Sequence, residues 1–94
     1  MNENEVLSRW IAEIYRRVFQ GTGRPFSIPM DDVIKASGAT LPDKGEEDAL
    51  KVELGNWLEA KGLIIRPHLI GVVPDLLALT SKGADPNEWP SVDL

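Results

Sequence analysis

The chain has 94 residues, 43% of them hydrophobic, with a formal net charge of −5 and no cysteine. That length makes one domain, its apolar content argues against wholesale disorder, and the missing cysteine excludes a disulfide framework and any thiolate metal site. No apolar run approaches the roughly eighteen residues of a membrane span, and "MNENEVLSRW" lacks the apolar core of a signal peptide, so a cytoplasmic protein without a membrane partner is expected.

The charge is unevenly spread. Residues 1–25 carry a net +1, residues 26–62 a net −4 and the remainder −2. An acidic middle repels phosphate at long range, which counts against a nucleic-acid partner there.

Residues Glu3 to Gln20 predict an amphipathic helix. Val6, Leu7, Trp10, Ile11, Ile14, Tyr15, Val18 and Phe19 recur at three- and four-residue spacing. Asn2 with Glu5 resembles a capping box, and Gly21 is a natural stop. Glu5–Arg9 and Glu13–Arg17 are i,i+4 pairs with the acid on the favourable side. "GTGRPFS" is then expected to be a loop.

A second, shorter helix is predicted from Pro29 to Ser37, with Pro29 in its first turn, Asp31 and Asp32 at its positive end and Gly38 after it. Met30, Val33 and Ile34 face inward. Asp43 and Glu46 suggest the cap of a third helix running to about Lys61, with Ala49, Leu50, Leu54, Trp57 and Leu58 on one face. Gly55 weakens that helix by about 1 kcal/mol relative to alanine. Gly62 ends it.

"LIIR" and "LLALT" read as two strands of a hairpin, although a helix starting at Asp75 is a rival reading over so short a stretch. The domain is expected to occupy residues 1–83, followed by an irregular tail over 84–94. Trp10, Ile14, Val33, Leu50, Leu54, Trp57 and Leu63 form the expected core.

Three helices, then a hairpin, with Leu58, Lys61, Gly62, Leu63 and Ile64 at one junction and Leu79, Thr80, Lys82 and Gly83 at the other, resemble a winged helix-turn-helix domain of bacterial regulators. The resemblance covers roughly residues 28–83. It implies an α+β fold in which a two-stranded β-hairpin wing follows three helices, and in which the third helix reads DNA. One physical reason for the first junction stands without it: Gly62 supplies the left-handed residue that lets a helix stop and a strand begin.

The chemistry of a DNA reader is thin. The N-terminal residues of the third helix would lead into the major groove, and they include the consecutive acids Glu46, Glu47 and Asp48. Such acids complement the helix dipole and neutralise no phosphate. Lys44, Lys51 and Asn56 on that helix, with Arg66 at the base of the wing, are the candidate DNA contacts. Arg9, Arg16, Arg17 and Arg24 could form a separate basic patch, or simply a solvated face with acid partners.

Catalysis finds little support. His68, the only histidine, has no carboxylate near it in sequence, and no strand-turn-helix elbow surrounds a serine. "GTGRPF" lacks the length and ending of a P-loop. No catalytic residue, metal site, cofactor or small-molecule site is expected.

The hairpin is the best functional clue. Eleven of the seventeen residues from Leu63 to Leu79 are aliphatic, so apolar groups must fall on both faces of a structure that can bury only one. The cover for the second face is either the chain's own Trp89 and Pro90 or another molecule. Leu69, Ile70, Val72, Val73 and Trp89 are therefore the candidate partner-binding residues, the partner being another protein or a second copy. The expected function is a non-catalytic interaction or assembly module, an accessory regulator being one form of it. The alternative is a dimeric DNA-binding transcription regulator, which the charge disfavours.

Overall fold

The computed structural model describes residues 2–21, 27–65 and 74–90. Its first helix, α1 (Glu3–Tyr15), runs on into a π-helical turn over Arg16–Gln20 and stops at Gly21. Asn2 caps it, its side-chain oxygen accepting from the Glu5 N–H at 2.8 Å. Val6, Trp10, Ile11, Ile14 and Val18 are buried, so the apolar stripe faces the core as its spacing predicts. Trp10 also donates its indole N–H to the Ala39 carbonyl at 2.8 Å, which ties α1 to the turn after the second helix.

A strand that the sequence reading missed comes next. β1 (Ser27–Pro29) precedes α2 (Met30–Ser37), so Pro29 ends a strand instead of opening a helix. Its φ of −69° suits either role, but its ψ of 123° is extended. An edge strand, paired on one side only, tolerates the missing N–H. α2 ends at Gly38, whose φ of 68° lies in the left-handed region.

α3 (Lys44–Ala60) is capped by Asp43, which accepts from the Gly45 N–H at 2.8 Å. Leu50, Lys51, Leu54, Gly55 and Leu58 form its buried side. One expectation fails here and one is met in part: Ala49 is exposed, while Trp57 is half-buried and packs against the core from its edge. At 100° per residue Ala49 points away from the direction that Leu50, Leu54 and Leu58 share, and Trp57 falls at its margin. The Lys61 ammonium lies 4.7 Å from the Trp57 ring centroid.

The α3 terminus is a full Schellman turn. Gly62, with φ 76°, donates to Glu59 and Leu63 donates to Leu58. β2 (Ile64–Ile65) then pairs antiparallel with β3 (Leu76–Leu79), placing Ile64 opposite Leu79 and Ile65 opposite Ala78. The rival helix from Asp75 is not formed. β3 also pairs antiparallel with β1, so the sheet is three-stranded, in the order β1-β3-β2, and not a two-stranded hairpin. The architecture is α+β, three helices with a small antiparallel sheet.

One polar clasp holds the two corners together. The Thr80 hydroxyl donates to the Gly62 carbonyl at 2.5 Å and accepts from the Gly83 N–H at 3.0 Å. A Cβ at Gly83 would overlap the Leu63 carbonyl, so only glycine fits there. The stretch expected to be an irregular tail includes a 3₁₀ turn over Pro86–Glu88 and returns Trp89 to the core. Among the described residues no helix is long and apolar enough to cross a membrane.

Candidate functional site

Among the described residues, the candidate DNA contacts form no basic surface, because both lysines are paired with carboxylates. Lys51 is only 3% exposed, with its ammonium 3.6 Å from an Asp31 carboxylate oxygen and 3.8 Å from one of Asp48. Lys44 is exposed and bonded to Asp48 at 3.0 Å. That carboxylate raises the lysine's pKa above its ordinary value. Asn56 is exposed on α3, while Arg66 lies outside the described residues. Glu46, in the first turn of the same helix, is exposed and Glu47 half-exposed.

The arginines of the first helix are engaged as well. Arg9 lies 3.4 Å from Glu5. Arg16 donates two hydrogen bonds to the buried Glu13 carboxylate, at 2.6 and 2.9 Å, and Arg17 adds a third at 3.1 Å. The Arg16 hydrogen bond is the chief reason that the Glu13 pKa falls below its usual value, against the opposing effect of burial; Arg17 lowers it further. Arg17 also donates to the Asp32 carbonyl at 3.2 Å, linking the end of the first helix to α2. Arg24 and His68 lie outside the described residues.

Of the candidate partner-binding residues, Leu69, Ile70, Val72 and Val73 lie outside the described residues. Trp89 is 7% exposed and is held by its own chain. Its indole N–H donates to the Gly83 carbonyl at 2.8 Å, and its ring meets Phe19 and Tyr15 edge-on, with centroids 6.1 and 6.5 Å away. Trp89 therefore seals the end of the first helix.

The sheet supplies an apolar surface that the expected site did not include. Paired residues of neighbouring strands share a face, and successive residues alternate between faces. Ile28, Leu77 and Ile64 point into the core and are buried. The outward face then carries Ser27, Ala78 and Ile65 in one cross-strand row, with Pro29 and Leu76 in the next. None of the five is charged. Ile65 is 61% exposed, the one large hydrophobic side chain so exposed among the described residues.

The outward face of a small antiparallel sheet is ordinarily polar. The aliphatic repeats "LII" and "LLAL" announced two apolar faces, but Ser27 and Pro29 belong to a strand too short to leave a period. Comparison of the chain with protein-family models, with curated proteins and with solved structures found no match to any of them.

Proposed function

We propose that the chain is a non-catalytic protein-interaction module on a winged-helix frame, working through the outward face of its sheet. The observation that carries this reading is the exposed Ile65 in a five-residue face without charge. Leaving such a side chain in water forgoes about 1–2 kcal/mol of burial, and an apolar patch on an acidic domain is the usual footprint of a protein contact. The winged-helix frame is favoured by the order of three helices and antiparallel strands, and by the Gly62 and Thr80–Gly83 corners on which the resemblance rests.

Charge weighs against the DNA-reading alternative. Lys51 is buried in an ion-pair cluster, and Arg9, Arg16 and Arg17 face carboxylates. A DNA reader needs several cations free for phosphate, because its affinity falls steeply with salt. Gel-shift titration against random and genomic DNA, at low and at physiological salt, tests the choice. The proposal expects no binding that survives physiological salt. Sequence-specific binding there would overturn it.

A further inference from the structure

We infer that residues 85–90 form a strap that opens as a unit while the rest of the domain stays folded, uncovering Tyr15 and Phe19 at the end of the first helix.

One side chain joins the strap to the domain. Asp85, Pro86, Asn87 and Glu88 are exposed, Pro90 is half-buried, and only Trp89 is buried. The strap's backbone bonds stay inside it. Glu88 donates to the Asp85 carbonyl, Trp89 to that of Pro86, and Asn87 to the Asp85 carboxylate. At the near end Asp85 donates to the Lys82 carbonyl, three residues back. Among the described residues, the one hydrogen bond from a strap side chain to the domain is that of the Trp89 indole to the Gly83 carbonyl. The Lys82–Glu88 ion pair, at 3.9 Å between half-exposed side chains, adds little.

Segments with few buried apolar contacts open at a fraction of the cost of global unfolding. The body to which this strap returns is held more firmly. Thr80 clasps Gly62 and Gly83, and Gly83 packs against the Leu63 carbonyl, so the fixed chain ends there and the hinge lies just beyond. Pro86 and Pro90 restrict the backbone on either side of Trp89, so the released turn keeps much of its shape and is ready to return. Under the indole, Tyr15 and Phe19 lie with ring centroids 4.8 Å apart, and Trp89 meets both edge-on. Phe19 sits in the π-helical turn over Arg16–Gln20, a rare form frequent at functional sites. The open strap presents two adjacent rings on the first helix and a free indole opposite them. The strap is open in the unfolded chain as well, so loosening it still lowers the stability of the whole fold.

Two indole protons make the test internal to the molecule. Trp10 and Trp89 each donate an indole N–H to a backbone carbonyl at 2.8 Å, and both are buried. Trp10 lies in the body of the domain and Trp89 on the strap. Hydrogen exchange at the two, followed by NMR in rising urea below the unfolding transition, reads their openings separately. Trp89 is expected to exchange at least about tenfold faster than Trp10, at a rate that urea barely changes, because a local opening exposes little surface. Exchange at Trp10 should climb steeply with urea. Ile28→Val trims the core and should speed Trp10 severalfold while leaving Trp89 unchanged. Equal rates at the two indoles, the same climb with urea, or equal acceleration by Ile28→Val would each overturn the strap, since Trp89 would then open only with the whole domain.

Discussion

The Thr80 hydroxyl donates to the Gly62 carbonyl across the junction between α3 and the sheet, at 2.5 Å. The same oxygen accepts from Gly83, whose carbonyl in turn receives the Trp89 indole. A single chain of hydrogen bonds thus runs from the end of α3 to the residue that seals the first helix. Thr80→Val keeps the side-chain volume and removes the clasp, so about 1–2 kcal/mol of stability should be lost on urea unfolding. Gly83→Ala should cost more, because the added methyl meets the Leu63 backbone and not a movable side chain.

Trp89→Ala should destabilise the whole fold, by about 3–5 kcal/mol, as large aromatic truncations in cores do. The indole has Tyr15, Phe19 and Gly83 as neighbours, so removing it opens the end of the first helix. Urea unfolding measures the loss. A mutant with unchanged stability would mean that Trp89 only lies on the surface.

Glu13 makes stability depend on pH in the acid range. Its folded pKa lies below the ordinary carboxylate value, chiefly through the Arg16 hydrogen bond. A group depressed in this way contributes fully above its unfolded pKa, and the contribution is lost as pH falls through the folded pKa. Glu13→Gln should therefore be less stable than wild type near neutrality and converge with it in acid. Thermal unfolding across pH 2–7, about the ordinary carboxylate range, reads this difference.

Lys51 tests whether the buried cation of α3 is structural. Its stem is packed, while its ammonium makes long ion pairs to Asp31 and Asp48. Lys51→Met keeps the stem and removes the burial cost of the charge, so stability should stay within about 1 kcal/mol or rise. Lys51→Ala should lose more. Urea unfolding of both variants separates packing from charge.

These residues also show how far the sequence could be read. The first helix declared itself because eight apolar residues, Val6 to Phe19, keep one period over fourteen positions. Gly38 and Gly62 marked helix ends because both occupy a conformation that glycine alone adopts cheaply. α3 was harder. A buried Lys51 and Gly55 and an exposed Ala49 contradict polarity as a guide to burial, so its inward face was partly misplaced. β1 was illegible because three residues carry no alternation, and its pairing to β3 bridges residues nearly fifty positions apart. The outward face of the sheet stayed hidden for the same reason. Its apolar character was foreseen, but two of its members lie on the strand that was missed.

Urea unfolding of Ile65→Glu tests most directly that the outward face of the sheet is left free for a contact and is not covered by the chain itself. The account predicts a stability within about 1 kcal/mol of wild type, as for other exposed strand positions. A loss of several kcal/mol would mean that Ile65 is ordinary core and would contradict it.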